Sequence, residues 1–256
     1  MPQDGALVSY ALYSPDDPYT WAMRVALFVT CLGDRFFADA AVDAVRLLRS
    51  LDVEVDFPTG QTCCGQPAWN AGHVPEARRM AAYTAKVFAD ADHVVLPSGS
   101  CAAMLRCTYP RLLGSSELGE RSYELSEFLV DVLGVTVLGS GLEGRRLAYH
   151  HGCHALRELG VQSQPIQLLT LAGARVVPWE MDQECCGFGG LFSVKAPEVS
   201  VAMADRKLET LPGVETVVSA DGGCLLHLDG RARHRGMGIH FRSLASLLWE
   251  ARRGNP

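Results

Sequence analysis

The chain has no apolar run approaching the roughly 20 residues that a membrane-spanning helix needs. The segment RVALFVT, Arg24 to Thr30, is short enough to be a buried strand. A secretory leader is also absent, because residues 1–22 contain proline and aspartate and have neither a charged start nor an apolar centre. They are expected to form a poorly ordered extension, with Met23 as an alternative start directly before the first strand. Positive charge is not in excess: the formal net charge is −6, which argues against nucleic acid as the main partner. Three redox signatures are missing too. No C-x-x-C speaks for thioredoxin-type chemistry, no C-x2-C-x2-C-x3-C-P for a ferredoxin cluster, and no G-x-G-x-x-G for a dinucleotide.

What is abundant is cysteine. Nine of them in a chain without an export signal point to a reducing compartment and to metal or catalytic use rather than disulfides. Eight of the nine form a repeat. Cys31, Cys63, Cys64 and Cys101 follow C-x31-CC-x36-C, and Cys153, Cys185, Cys186 and Cys224 follow C-x31-CC-x37-C. The offset is 122 residues for the first three pairs and 123 for the last. Glycine follows each vicinal pair, at Gly65 and Gly187, and a Pro-Glu pair lies 11 residues after each, at Pro75 and Pro197. Val94-Val95 and Val217-Val218 stand at matching places before the last cysteine of each half. Burial of cysteine as a small hydrophobe predicts no such matched spacing. Only Cys107 lies outside the repeat, and it is read as a packing residue on a helix.

The residues between the cysteines alternate strand-like and helix-like patterns. Strands are expected at 24–30, 53–57, 93–97, 146–150, 175–178, 216–219 and 239–241. Helices are expected at 38–51, 75–90, 126–133, 164–171, 197–210 and 244–251. Pro75 and Pro197 suit the first turn of a helix, where a missing N–H costs nothing. Such alternation predicts the α/β class: two pseudo-equivalent halves, each a small parallel-sheet βαβ-type module with its cysteines in loops after the strands. With Gly139–Gly144 as a linker, the expected division is 1–22 extension, 23–141 first cysteine-rich domain and 142–256 second.

Loops at the carboxyl ends of parallel strands converge in space, so four cysteines far apart in sequence become one site. Four thiolates fit either a [4Fe–4S] cluster or zinc. Structural zinc sites usually draw on C-x2–4-C knuckles, and neither half has one. A vicinal pair grips a single tetrahedral ion awkwardly but reaches two irons of a cluster. Both readings stay open, with one or two [4Fe–4S] clusters expected and zinc possible in one half. A vicinal disulfide switch is a further alternative.

The segments CLGDRFFADA, CCGQPAWNAG, PSGSCAAM, GCHALRELG, CCGFGGLFSVK and ADGGCLLHLDGR resemble the CCG-domain (cysteine-rich) iron–sulfur proteins. That family includes the CCG-containing subunits of heterodisulfide reductase and of glycolate oxidase, and the resemblance runs from Met23 to the end. It implies electron transfer through cysteine-bound [4Fe–4S] clusters, as one cytoplasmic subunit of a multisubunit system that oxidises L-lactate to pyruvate. Carried over by position, Cys31, Cys63, Cys64 and Cys101 ligate one cluster, and Cys153, Cys185, Cys186 and Cys224 the other. One departure counts: heterodisulfide reductase-like modules end in C-x-x-C and use a fifth cysteine, whereas Ser98 and Asp221 stand at those places here. Disulfide reduction at an unusual cluster is thereby put in doubt. The missing ferredoxin signature implies a partner subunit that carries such clusters, with a small 2-hydroxy acid as substrate of the complex.

No catalytic residue is identified. His154, beside Cys153, and Arg157 on the same stretch are weak candidates for holding a carboxylate or relaying a proton. His150 and His151 are weaker ones. Gln66, Pro67, Trp69, Phe188 and Phe192 are expected to shield the clusters from water. The remaining alternatives are a subunit acting on glycolate or a thiol–disulfide couple, and a redox-silent scaffold stabilised by zinc.

Overall fold

The computed structural model describes residues 23–254, so the expectation for residues 1–22 lies outside the described part. Two four-stranded sheets form, and every strand pair in both is parallel. The first contains β1 (Arg24–Leu27), β2 (Glu54–Asp56), β3 (Val94–Leu96) and β4 (Ser122–Glu124), in the order β2-β1-β3-β4. The second contains β5 (Arg146–Tyr149), β6 (Arg175–Val176), β7 (Thr216–Ser219) and β8 (His240–Ser243), in the order β6-β5-β7-β8. The same strand order twice over is the structural form of the cysteine repeat, and the α/β class with two pseudo-equivalent halves is as expected.

Side chains alternate across a strand, and this alternation sorts the core. Val25 and Leu27 point into one buried cluster, while Ala26 and Phe28 point into another that contains Cys64 and Cys101. One repeat later, Leu147 and Tyr149 join the same cluster as Val25 and Leu27. That cluster is therefore common to both halves. Leu47 and Leu48 of helix Ala38–Arg49 meet Leu247 and Leu248 of helix Leu244–Arg253 within it, and these two helices pack closely on each other. The residues read as a linker are packed as well: Leu142 is fully buried, as is Leu138 just before them. A Cβ at Gly141 would lie 2.8 Å from Ala251, so glycine is required there by the approach of helix Leu244–Arg253.

Three details differ from the sequence pattern. β4 is not evident in it, since two of its three residues are Ser122 and Glu124, yet both are buried. Cys224 lies within helix Gly222–His234, which its Gly-Gly start conceals because glycine is a poor helix former. Helix 126–133 is interrupted, with one turn at Leu125–Glu127 running into a π-helical turn at Phe128–Val132.

Glu124 is wholly buried where the halves meet. Its side chain accepts hydrogen bonds from the Ser126 and Glu127 backbone amides, but Oε1 has no partner. Burial pushes its pKa up from 4.5 to about 7, with the nearby Asp221 charge acting the same way. Because the folded pKa is the raised one, this contribution to stability is complete below pH 4.5 and is lost as the pH climbs through 7. The chain is expected to lose on the order of 1–3 kcal/mol from this group between about pH 5 and pH 8. Glu124→Gln should flatten that slope in chemical denaturation. Equal slopes in the two proteins would contradict the assignment.

Candidate functional site

All eight repeated cysteines gather beyond the carboxyl ends of strands, in two groups of four. β1 ends at Leu27, and Cys31 opens helix Cys31–Phe36, with Thr30 as its side-chain cap. β3 ends at Leu96, and Cys101 sits in helix Gly99–Ala103, capped by Ser98 Oγ. Cys63 and Cys64 lie in the loop that follows β2. Four of the eight, namely Cys31, Cys101, Cys153 and Cys224, thus fall in helical turns that begin just past a strand, and the vicinal pairs stay in loops.

In the first half, Cys31 Sγ is 3.6 Å from Cys63 Sγ, and Cys64 Sγ is 3.4 Å from Cys101 Sγ. The Cys31 and Cys64 thiols hydrogen-bond to Cys63 and pull its pKa down to about 3. The second half repeats the pattern: Cys153 and Cys186 pull Cys185 down to about 2. Cys31, Cys64, Cys153 and Cys186 are all shifted upward, with a hydrogen bond to a neighbouring cysteine as the largest cause in each. Backbone amides add to the thiolate-stabilising field. Gly65 N–H donates to Cys63 Sγ at 3.5 Å, Gly187 N–H to Cys185 Sγ at 3.5 Å, and Phe188 N–H to Cys186 Sγ at 3.4 Å. Gly65 and Gly187 have φ of 87° and 90°, and a Cβ at Gly187 would lie 2.6 Å from the Ser200 carbonyl oxygen. The glycine after each pair is therefore favoured by its backbone angle, and at Gly187 the close approach of the following helix demands it as well.

Each half thus offers four soft sulfur donors in a half-buried pocket, with N–H groups turned toward the sulfur. This donor set fits a cysteine-bound iron–sulfur cluster. Zinc shares the preference for thiolate ligands, and two sulfur pairs of the first half, Cys31–Cys63 and Cys64–Cys101, stand at 3.6 and 3.4 Å. The nine cysteines are all free thiols.

The two groups share a wall. Helix Cys31–Phe36 packs on helix Gly222–His234, and helix Gly99–Ala103 packs on the π-helical turn Ala155–Leu159. A Cβ at Gly223 would sit 3.5 Å from Leu32, so the neighbours of Cys224 and Cys31 lie close together. Ser98 and Asp221 face each other across this seam. Ser98 Oγ donates to Asp221 Oδ1 at 3.0 Å, and Ser100 N–H donates to the same oxygen at 2.9 Å. Both side chains are buried. Their hydrogen bonds join the halves.

The weaker candidates fall in different places. His154 Nδ1 pairs with Glu158, and the two line a cavity of about 400 Å³ with Gln66, Trp69, Cys107 and Arg111. Arg157 is exposed on the π-helical turn Ala155–Leu159 and is not brought into either cysteine group. Cys107 is only half-buried at the seam, its Sγ 3.8 Å from the Glu158 carbonyl oxygen, rather than a core residue. Phe188 covers Gly223 closely, whereas Phe192 is 38% exposed and Pro67 is exposed, so those two shield little.

Two buried groups set the second half apart: Lys207, which sequence reading passes over, and His150, which it ranks below His154. Lys207 is fully buried, lies 4.3 Å from the Trp179 ring centre and donates to the carbonyls of Met181 and Glu184 (3.0 Å for the latter). It pins the loop leading to Cys185. Burial lowers its pKa to about 8. His150 is also fully buried, and its ligand atom lies with those of Cys186 and Cys224 in a group all within 4.8 Å of one another. A residue-by-residue comparison at the 122-residue offset flags both, because Phe28 and Ala85 occupy those places in the first half.

A model of the CCG family, "Cysteine-rich domain", matches twice, at residues 25–106 and 147–229. Lactate utilization protein A of Geobacillus kaustophilus is 45% identical over 237 residues, covering 88% of this chain and 98% of that protein. The protein of the same name from Oceanobacillus iheyensis is 41% identical over 243 residues, covering 91% and 99%. Among solved structures, glutamate racemase from Thermus thermophilus aligns with a TM-score of 0.36 and 16% identity over 90% of this chain and 78% of that one. Likeness at that level says nothing about fold or activity.

Proposed function

The chain belongs to the CCG family of cysteine-rich domains and to the lactate utilization protein A relatives within it, and from that premise we propose that it is the iron–sulfur electron-transfer subunit of an oxidoreductase that oxidises L-lactate to pyruvate. The observation that carries this reading is the pair of four-thiol groups standing on either side of one packed seam. In this reading Cys31, Cys63, Cys64 and Cys101 hold one [4Fe–4S] cluster, and Cys153, Cys185, Cys186 and Cys224 hold the other. A bound cluster supplies one-electron transfer that protein side chains lack.

The chain's own contribution is ligation, orientation and exclusion of water. Gly65, Gly187 and Phe188 N–H groups offset thiolate charge, which raises reduction potential. Trp69 and Phe188 cover the vicinal pairs. The packing of helix Cys31–Phe36 on helix Gly222–His234 keeps the two groups near each other, so electrons pass between halves through protein. Two electrons must leave each lactate, and two one-electron centres match that count.

Because no ferredoxin signature is present, a second subunit with such clusters completes the path, and the repeat boundary near residue 142 divides the two modules. The complex is placed in the cytoplasm. Among the described residues no helix is long and apolar enough to cross a membrane. The Ser98–Asp221 pairing speaks against heterodisulfide reduction, because neither position can donate sulfur. The affinity of zinc for thiolates carries one second reading, zinc in one of the halves.

The test is to isolate the intact complex through a tag on this chain from cells grown on lactate, without oxygen. The expected result is conversion of L-lactate to an equal amount of pyruvate, at least tenfold faster than oxidation of glycolate. Preference for glycolate, or no oxidation of either acid, would overturn the assignment.

A further inference from the structure

The two cysteine groups differ at one buried position. Phe28 and His150 occupy equivalent places at the ends of β1 and β5, 122 residues apart. Phe28 is fully buried and stacks on Phe88 with ring centres 5.3 Å apart, as an apolar core demands. His150 is just as buried, with Trp179 edge-on at 6.4 Å, yet neither Nδ1 nor Nε2 has a hydrogen-bond partner. Leaving a buried polar group unpaired costs roughly 1–3 kcal/mol, a cost that the first half avoids with phenylalanine. An imidazole kept at such a place calls for a bonding partner that protein atoms do not supply.

The geometry says where that partner sits. A ring nitrogen of His150, Cys186 Sγ and Cys224 Sγ all lie within 4.8 Å of one another. The Asp182 backbone also lies near enough to act on the ring but outside hydrogen-bonding geometry. Metal-bound imidazoles usually turn their remaining N–H to a backbone carbonyl or carboxylate. Asp221, three residues before Cys224, is held by Ser98 and Ser100 of the first half and is turned away from this task.

We propose that His150 is a nitrogen ligand of the second-half metal centre, beside Cys186 and Cys224 and in place of one of the four thiolates assigned there, whereas the first-half centre is bound by sulfur alone. The inference rests on the reading that the repeated cysteines hold metal. An imidazole adds no negative charge, unlike a thiolate, so the second centre accepts an electron more readily than the first; exchange of cysteine for histidine raises cluster potentials in the same sense elsewhere. The repeat thereby becomes a graded pair, in which electrons settle on the second half.

The test uses the full chain purified without oxygen, labelled with 15N-histidine and reduced with dithionite. Cys63→Ser removes the first centre, so that the second is seen alone. Pulsed EPR is expected to show the coupling of a directly bonded 15N nucleus. That coupling should vanish in His150→Phe, which copies the first half, and persist in His154→Phe. In redox titration, His150→Phe should also move the second centre to lower potential. The labelled chain with His150 intact keeps the test valid even if His150→Phe folds poorly. Absence of bonded 15N, or its survival in His150→Phe, would overturn the proposal. If the chain holds zinc and no sulfide, the electron-transfer reading fails separately. X-ray absorption at the zinc edge then decides: one nitrogen neighbour lost in His150→Phe upholds the ligand, and a sulfur-only shell refutes it.

Discussion

Cys185→Ser is expected to empty the second half of metal and leave the first half loaded, halving the iron of the chain. Cys185 is the hub of its group: the Cys153 and Cys186 thiols both hydrogen-bond to it, and Gly187 N–H points at its sulfur. A serine oxygen is a hard, poorly ionised donor and does not replace a thiolate for iron. With two [4Fe–4S] clusters, iron and acid-labile sulfide should drop from about eight to about four per chain. Cys63→Ser should give the same fall from the other half, since Cys63 is the matching hub, and the double variant should hold none. Cys107→Ser, outside both groups, should change nothing. Retained metal in Cys185→Ser, or loss in Cys107→Ser, would show that the repeat has been misread. Lactate-dependent electron transfer through the complex should disappear in either single variant, because both centres lie on one path.

Gly152→Ala is the second large effect expected. A Cβ at this position would lie 1.9 Å from Asp221 Oδ2, far inside contact distance. Asp221 is buried and holds Ser98 Oγ and Ser100 N–H of the other half. The new methyl group must displace that carboxylate, which breaks two hydrogen bonds and leaves a charged group buried without them. Overpacking and the orphaned carboxylate together should cost about 3 kcal/mol or more. For a chain of this size that lowers the melting temperature by roughly 6–12 °C. Gly213→Ala, with nothing within 4 Å of the added carbon, should stay within about 0.5 kcal/mol of the parent. A Gly152→Ala protein that melts with the parent would mean that the halves do not meet as described. Gly99 makes the same point from the other side, since its Cβ would lie 2.4 Å from that of Ala155.

Much of this architecture is legible in the sequence, and the reasons are local. Val94-Val95 and Val217-Val218 announce fully buried strands, and Pro75 and Pro197 announce helix starts, because short-range rules govern both. The eight cysteines are legible because the chain states the same spacing twice. What is hidden depends on contacts between distant residues. Ser98 and Asp221 are 123 positions apart, and no spacing rule pairs a serine with an aspartate at that range. β4 reads as polar, because Ser122 and Glu124 are buried with hydrogen bonds to Leu118 and to the Ser126 and Glu127 amides rather than by hydrophobicity. The Gly139–Gly144 segment reads as a flexible linker, whereas Gly141 is there to admit helix Leu244–Arg253. In the sequence His150 is one of three histidines around Cys153; only the fold separates it from His154, which lines an outer cavity with Glu158.

The fold also explains why duplication suits the task. A single module of this kind would expose Val25, Leu27, Leu47 and Leu48, which are covered here by Leu147, Tyr149, Leu247 and Leu248 of the other half. Pairing two modules buries that face and, by the same contact, sets two cysteine groups side by side. Stability and electron transfer between centres thus come from one interface.

The central claim is that both cysteine groups hold redox-active metal. The most direct test is to measure iron, acid-labile sulfide and zinc per chain, with the visible absorption spectrum, on protein purified without oxygen. The protein should be brown, with iron and sulfide in equal amounts approaching about eight of each for two [4Fe–4S] clusters. A colourless protein that contains zinc and no sulfide would contradict that claim.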